Sequence, residues 1–347
     1  MQKDERRKGW EIAQEIESTT TFWERLMPEK SQVLAAVYSM GALAVVFLIG
    51  CWLAGNPFEA TQRIASPYVK SMGWVGTNEW SIIWSVVFIA MLFEFMDATA
   101  GMGFGTAITP LLLLMGFDPK QIVPVVMIQQ GVAGLIGTFL HKEYGNVEWK
   151  LKPMSETIRL WFYIAIPGIL AVLVSVSAVY AIFKVAKVWI NLYVCALLLG
   201  MGAISFYQGV SHRERKYRPK MMIGFAALAG FNKGVGGGGY GPVVTIGGLL
   251  SGVPAKSMMA VTALSEGTVS TFSIIVWLAM LTGGVVIDYL LLPSMMIATI
   301  LSAVVAPWAT RVFPERVWQY VVPAYSLILA FYATYKSFPD IKKALGV

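Results

Sequence analysis

The chain has 347 residues, of which 56% are hydrophobic and 14% are charged, and its net charge is +7. Soluble globular domains carry about 25% charged residues, and several apolar stretches here reach the roughly 20 residues that a bilayer-crossing helix needs. The composition predicts an all-α polytopic membrane protein and excludes a soluble enzyme. The apolar runs are also too long for the short alternating strands of a membrane β-barrel.

The basic residues are expected in cytoplasmic loops, where Lys and Arg collect in membrane proteins, so no nucleic-acid partner is predicted. The chain has two cysteines, Cys51 and Cys195, and two histidines, His141 and His212. Neither pair shows metal-ligand spacing. The sequence therefore predicts neither a metal site nor a cofactor.

Residues 1–31 are rich in charge and lack the apolar core of a signal peptide. We predict that they form a cytoplasmic tail. Ile12, Ile16, Trp23 and Leu26 hint at an amphipathic helix on the membrane surface, and a solvated tail is the alternative. Residues 32–80 are predicted to hold an extra transmembrane helix and a periplasmic loop.

Apolar windows predict the helices of the chain. They lie at 33–54, 81–99, 106–116, 121–141, 158–183, 188–209, 221–233, 242–251, 257–281, 288–309 and 317–336. The helices at 106–116 and 242–251 are too short to cross a bilayer.

Each short helix follows a glycine-rich break: "AGMGFGT" at 100–106 and "NKGVGGGGY" at 232–240. Each leads into a turn with Pro and Lys, "GFDPKQ" or "GVPAKS", and Lys120 lies 136 residues before Lys256. At that offset Gln129 and Gln130 match Ser265 and Glu266. The chain therefore contains an internal repeat, with four extra residues expected in the second short helix.

The repeat sets the predicted segments: repeat 1 at 81–210, a basic cytoplasmic loop at 211–220, repeat 2 at 221–337 and a C-terminal tail at 338–347. If each helix pair around a break is a hairpin and the N-terminus is cytoplasmic, 18 of the 27 Lys and Arg residues are inside and 8 are outside. This bias favours the arrangement. The second repeat then starts on the opposite side from the first, so the repeats are inverted, as is typical of secondary transporters.

Unwound backbone survives at membrane depth only where it is buried in protein or lines a cavity. A helix that starts after such a break has free amides and a positive dipole end at its first turn. Two such starts, with Lys233 beside one of them, predict an anion site. The alternative is that the glycines only allow helices to pack closely. A phosphate-binding P-loop is excluded, since its GxxxxGK[ST] pattern is absent.

Charged residues inside predicted spans are few, and such residues usually face a cavity or a partner. Glu94 and Asp97 share one helix face, and Glu266 lies midway along its helix. Asp97 and Glu266 are predicted proton carriers or counter-ions for Lys233. The alternative is a buried structural ion pair, and this is the favoured interpretation for Glu94.

Three segments, "FMDATAGMGFGTAITPLLLLMGFDPKQIVP", "FNKGVGGGGYGPVVTIGGLLSGVPAKS" and "ALSEG", together resemble the TauE/SafE sulfite exporter family, also called the 4-toluene sulfonate uptake permeases. The resemblance covers roughly residues 81 to 336. It implies a transporter of sulfur-containing anions in the bacterial inner membrane, built from inverted repeats. Related proteins often carry an acidic residue where Gln130 stands, so a symmetric mechanism with two carboxylates is not expected here.

The predicted function is a proton-coupled secondary transporter of sulfite, a sulfonate or a related organic anion, with no enzymatic activity. A passive anion channel and a transporter of non-sulfur organic anions are the alternatives. Besides the lipid bilayer, the expected partners are the anion and the proton, and no oligomeric state is predicted. The proton-coupling candidates are Asp97 and Glu266. The predicted substrate site consists of Gly101, Met102, Gly103, Phe104, Gly105, Thr106, Gln129, Gln130, Asn232, Lys233, Gly236, Gly237, Gly238, Gly239, Tyr240 and Ser265.

Overall fold

A computed structural model describes residues 8–53, 55–56, 59–60, 83–101, 104–114, 117, 119–177, 196, 199–200, 202–204, 206–207, 216–279 and 291–344. The predicted helix at 188–209 lies mostly outside these residues.

Nearly all of the described structure is helical. The N-terminal part contains α1 (Glu11–Thr19), α2 (Phe22–Leu26) and α3 (Lys30–Leu53). It also contains two short antiparallel strands, β1 (Gly55–Asn56) and β2 (Glu59–Ala60), which the predicted all-α fold did not include. The remaining helices are α4 (Trp84–Ala100), α5 (Phe104–Leu114), α6 (Pro119–Glu143), α7 (Glu156–Ser177), α8 (Met221–Gly236), α9 (Tyr240–Leu250), α10 (Ala255–Ala279), α11 (Leu291–Ser302), α12 (Val305–Val312) and α13 (Glu315–Ala344).

Within the described residues, five helical stretches are long and apolar enough to cross a membrane. They are Phe22–Ile49, Ile122–Glu143, Glu156–Val176, Ala255–Val276 and Leu291–Val312. Large apolar side chains such as Phe88, Ile166 and Ile275 remain exposed on the outside of the helices, as lipid contact requires. The chain is therefore a multi-pass membrane protein, as its composition predicted.

The internal repeat recurs in the helix boundaries. Helix α5 begins 136 residues before α9, and both have 11 residues. Helices α6 and α10 both have 25 residues and start at the same offset. The prediction of four extra residues in the second short helix is wrong, because the glycine run that seemed to lengthen the break is partly helical.

The helices of the two halves also exchange partners. Helix α4 of the first half packs against α11 of the second, and α8 of the second half packs against α7 of the first. Helices α6 and α10, which correspond to each other, are in direct contact. Their closest approach is at Gly134, where an added Cβ would lie 2.6 Å from the Ala263 carbonyl oxygen. This reciprocal packing is the pattern that a twofold relation between two halves produces.

The predicted helix at 288–309 is wrong as a single element, because it divides into α11 and α12 with a turn at 303–304. Pro307 lies in the first turn of α12. Its ring would clash with the carbonyl four residues earlier in a continuous helix and its nitrogen has no proton to donate. The helix therefore ends and starts again just before the proline.

The N-terminal segment, residues 8–32, folds onto one end of the bundle and is not a free tail. Trp10 is buried and its ring lies 5.3 Å from that of Tyr217. Arg25 is 6% exposed and donates to the carbonyl of Val312 at 3.2 Å. Glu17 accepts from Lys256 Nζ at 3.0 Å. These contacts tie the segment to α10 and α12.

Candidate functional site

Both glycine breaks are shorter than the sequence predicted. In the first, α4 ends at Gly101 with φ 69° and α5 begins at Phe104. In the second, α8 continues to Gly236, Gly237 and Gly239 have φ 72° and 81°, and α9 begins at Tyr240. Glycine is needed at these three positions because other L-residues rarely adopt a positive φ. The prediction that 100–105 and 234–241 are non-helical is therefore wrong at 100, 104–105, 234–236 and 240–241, which all lie in helices.

The two breaks touch each other. An added Cβ on Gly238 would lie 2.7 Å from the carbonyl carbon of Gly105, and one on Gly237 would lie 3.6 Å from Thr109 Oγ1. The Gly239 amide donates to Thr106 Oγ1 at 2.9 Å, and Thr245 Oγ1 donates to the Gly101 carbonyl at 2.6 Å. Backbones approach this closely only where side chains are absent. The halves thus meet through their breaks.

One amide at the start of each short helix is already engaged by a group of the protein. Phe104 N–H donates to Asp97 Oδ1 at 3.2 Å, so the carboxylate of Asp97 lies where the sequence predicted a ligand anion. The Gly239 amide is engaged by the Thr106 hydroxyl. The prediction of free amides at these two positions is therefore wrong for the conformation seen here.

Lys233 is the central cation of the site. It is fully buried, and its Nζ lies 2.6 Å from Gln130 Oε1 and 2.8 Å from Glu266 Oε1. The Tyr240 ring lies 5.2 Å from the same nitrogen, within the range of a cation–π contact. Gln130 and Glu266 occupy matching positions of the two halves, so both halves hold this lysine. The Lys233–Glu266 counter-ion pair anticipated as one of the alternatives is present.

Asp97 occupies the position of the first half that corresponds to Lys233 of the second, 136 residues later. The two halves thus place opposite charges at the same point, three or four residues before a break. The two breaks therefore differ from each other in the charge of the side chain beside them, although their backbones are alike.

Among the described residues, Asn232 and Thr109 are buried polar side chains near the breaks without hydrogen-bond partners. Asn232 is 2% exposed, and neither its Oδ1 nor its Nδ2 has a partner. Thr109 is 7% exposed and its Oγ1 is also unpaired. Buried polar groups are nearly always satisfied in folded proteins. These groups are therefore available to a bound ligand.

Two predicted site residues face other partners. Gln129 Nε2 donates to Glu94 Oε2 at 2.6 Å and to Thr299 Oγ1 at 2.8 Å, so its amide is held on the side of α4 and α11. Ser265 donates to the carbonyls of its own helix, Val261 at 2.8 Å and Thr262 at 3.1 Å. Met102 and Gly103 lie outside the described residues.

The sequence reasoning missed a small cavity behind the breaks. The centre of a water molecule can occupy about 20 Å³ of this cavity. Three carboxyl side chains form part of the cavity wall. It is lined by Glu94, Asp97, Ala98, Gly101, Gln130, Ala133, Gly134, Gly137, His141, Thr262, Ala263 and Glu266. Thr109 and Thr245 were missed as well, although the 136-residue offset relates them to each other. Among the described residues no cluster of three His, Cys, Asp or Glu side chains could hold a metal ion.

A multi-pass helical fold with a charged site at two touching helix breaks defines the class of membrane transporters. The chain belongs to the sulfite exporter TauE/SafE family, whose model matches residues 86–333. This confirms the resemblance found in the sequence and nearly its full extent. The N-terminal segment and α3 lie outside the matched region.

One curated relative has a related sequence. The chain is 27% identical over 249 residues to the probable membrane transporter protein YtnM of Bacillus subtilis (strain 168), and the match covers 70% of this chain and 79% of the relative. No solved structure matches the chain significantly.

Proposed function

We propose that this protein is a proton-coupled secondary transporter of a small sulfur-containing anion, such as sulfite or a sulfonate. The membership of the chain in the TauE/SafE family supports membrane transport and suggests the substrate class. The observation that carries the proposal is the buried Lys233–Glu266 pair, 2.8 Å apart, beside two touching helix breaks.

The site would work by exchanging the partners of Lys233. While Glu266 is ionised, the ammonium group is neutralised and has little affinity for an anion. When Glu266 takes up a proton, Lys233 loses its counter-charge, and a buried unpaired charge is costly. An anion that binds to Lys233 removes this cost. Proton and anion are therefore bound together.

The unpaired groups beside the breaks supply the neutral part of the site. The amide of Asn232 and the hydroxyl of Thr109 can donate to the oxygens of a sulfite or sulfonate group. The amides of Phe104 and Gly239 would join them if Asp97 and Thr106 released them. An anion held by one ammonium group and several neutral donors leaves more easily than one held by several cations, as transport requires.

We further propose that the two halves are inverted relative to each other in the bacterial inner membrane. The exchange of partners between α4–α11 and α8–α7 supports a twofold relation. The excess of basic residues in one set of loops supports a cytoplasmic N-terminus and a cytoplasmic 211–220 loop. In such transporters the site lies between the repeats, near the middle of the membrane.

Proteoliposomes containing the purified protein test the function. Uptake of sulfite, thiosulfate, sulfonates and carboxylates is measured with and without a pH gradient. We expect saturable uptake of one or more sulfur anions that the gradient drives against the anion's own concentration. Uptake that dissipates gradients and never accumulates the anion would indicate a passive channel, and uptake of carboxylates alone would reject the substrate class.

A further inference from the structure

The small cavity behind the breaks is lined by three carboxyl groups but by few positive charges. Glu94, Asp97 and Glu266 all contribute to its wall. Lys233 forms an ion pair with Glu266. Glu94 and Asp97 each accept one neutral hydrogen bond, from Gln129 and from the Phe104 amide, and no ion pair to either is seen in the described part of the chain. A buried carboxylate without a counter-charge is costly.

His141 lines the cavity, and its protonation state can be assigned from its neighbours. Asn146 Nδ2 lies 2.8 Å from the Pro307 carbonyl oxygen and 3.0 Å from His141 Nδ1. A carbonyl oxygen only accepts, so the Asn146 atom is its NH₂ group, which only donates. Nδ1 of His141 is therefore an acceptor, and the ring carries its proton on Nε2.

The Nε2–H group of His141 is a buried donor in need of an acceptor. The side chain is fully buried and lines the cavity, the Ala98 backbone lies near the ring, and Nε2 has no hydrogen bond of normal geometry among the described residues. The backbone of Asn146 holds the arrangement in place, because its N–H donates to the His141 carbonyl at 2.9 Å and its carbonyl accepts from Ser257. Nδ1 is thus occupied, and the ring cannot pass a proton from one nitrogen to the other.

A water molecule fits between this donor and the carboxyl groups. The volume open to the centre of a water molecule is about 20 Å³, more than the roughly 10–15 Å³ that one water needs. The cavity wall also supplies more than the two polar partners that a buried water requires. The same wall includes Glu266, the partner of Lys233. A proton held in the cavity is therefore within one water of the group that controls the lysine.

We propose that the cavity is a proton-binding site, in which Glu94 and Asp97 share a proton through one water and His141 is the fixed hydrogen-bond donor to that water. As part of transport the site rests on the proposed function, since it would supply the proton to Glu266. Binding of the proton itself does not depend on any substrate.

The charged and titratable groups near the cavity divide into those on its wall and those that face elsewhere. Helix α12 packs against α6, but its Arg311 faces Glu29 at 3.9 Å and Tyr144 and is not part of the cavity wall. Tyr325 of α13 lies close enough to Asp97 to interact with it electrostatically. The groups that face the cavity are Glu94, Asp97, Glu266 and His141, with Lys233 behind Glu266.

Infrared difference spectroscopy of the full-length protein in nanodiscs, without substrate and without sodium, tests the proposal. A protonated carboxyl group gives a C=O stretching band that carboxylates lack. We expect this band at neutral pH, and we expect Glu94→Gln and Asp97→Asn each to remove or shift it. Absence of the band, a band that neither change affects, or its removal by millimolar sodium would overturn the proposal, the last in favour of a sodium site.

The role of His141 is tested by the pH at which the band is half lost. A neutral donor favours the ionised form of the carboxyl group, so His141→Leu should move this midpoint upward by about one pH unit. His141→Gln places an N–H near the position of Nε2 and should keep the midpoint, as should His212→Gln, the change at the only other histidine of the chain. If Gln and Leu have the same effect, a hydrogen bond donated from the Nε2 position does not set the midpoint, and the fixed-donor role is wrong.

Two further arms keep the test decisive. If His141→Leu yields little folded protein, Asn146→Ala takes its place. This change removes the donor that fixes the proton of His141 on Nε2, so it should also raise the midpoint. An unchanged midpoint contradicts the assigned tautomer of His141. The proteoliposome assay is run on the same preparations. A carboxyl band with these properties in a protein that moves no sulfur anion would reject the proposed function and leave the proton site standing.

Discussion

Lys233 shows how one side chain can serve both the fold and the ligand. Its charge is fully buried, and it is held by one oxygen from each half of the molecule. Removing one partner of a buried ion pair typically costs about 3–5 kcal/mol, whereas replacing both partners by apolar groups can be nearly neutral. The pair therefore adds little net stability. Replacing Lys233 and Glu266 together would therefore destabilise the fold less than replacing either residue alone.

We expect Lys233→Met and Glu266→Gln each to lower the unfolding temperature, and the double variant to recover a large part of the loss. The reason is that each single change leaves an unmatched charge or polar group in the interior. Thermal unfolding of the four proteins in detergent gives the coupling energy. Additive losses would show that the two groups do not depend on each other and would contradict the contact.

At the level of single residues, the sequence predicted contacts correctly where charge alone determines the partner. A lysine and a glutamate inside apolar sequence must find partners, so their pairing was foreseeable. The roles of Thr109 and Thr245 were not, because they depend on which hydroxyl faces the break of the opposite half. The Asp97 contact with the Phe104 amide was missed for a similar reason: the break is only a few residues long, so the carboxylate reaches across it.

At the scale of helices, the breaks are the elements on which the architecture depends. Apolar windows located most described helices to within a few residues, since their length and composition are set by the bilayer. The sequence overestimates the extent of the breaks, because a run of glycines does not by itself unwind a helix. Among the described residues of the two breaks, Gly101, Gly237 and Gly239 adopt a positive φ. Gly236 and Gly105 are helical, and Gly105 contributes close contact instead.

Gly238→Ala should separate the breaks and reduce both thermal stability and anion transport. The added methyl group would meet the backbone of Gly105 and Thr106, with the Thr106 Cα at 3.0 Å, and backbone cannot move aside as a flexible side chain can. Gly224→Ala is the matched control, because nothing lies within 4 Å of its added Cβ. In the interior of α8 that change should be neutral or stabilising by up to about 1 kcal/mol. Equal behaviour of the two variants would show that the breaks tolerate separation.

At the scale of the whole molecule, the chain consists of the family's transport core and an N-terminal addition docked to one end of it. Arg25 links the parts: besides Val312 it donates to the carbonyls of Glu17 at 3.2 Å and Thr20 at 2.8 Å. Glu17 in turn accepts from the Glu315 amide at 2.8 Å. Amphipathicity in the sequence predicted that this segment covers a surface. It could not reveal that the surface belongs to the protein itself.

Arg25→Ala should lower the free energy of unfolding by about 2–3 kcal/mol, because hydrogen bonds to charged groups contribute about 1.5–3 kcal/mol and three carbonyls lose their donor. Arg316→Ala is the control, since Arg316 is exposed. Thermal and denaturant unfolding of the full chain measure both. Equal stability of the two variants would mean that the N-terminal segment is not fixed to the bundle by this residue.

The orientation of the molecule can be tested by cysteine labelling after Cys51 and Cys195 are replaced by serine. A cysteine at exposed Lys220 should react only with reagents that reach the cytoplasm, because the excess of basic residues places this loop inside. A cysteine at Lys70 should react from the outside. The opposite labelling pattern would overturn the inverted arrangement proposed for the two halves.

The most direct test of the central claim, that Lys233 binds the transported anion, is the affinity of the purified protein for sulfite, measured by calorimetry across pH in the wild type, Lys233→Met and Lys256→Met. Lys256 is a suitable control because it is also a buried lysine, 2% exposed, with a carboxylate partner at 3.0 Å, but it lies away from the breaks. We predict that Lys256→Met binds sulfite as the wild type does, whereas Lys233→Met loses binding at every pH. Unchanged affinity in Lys233→Met would show that this lysine serves the fold and that the anion site lies elsewhere.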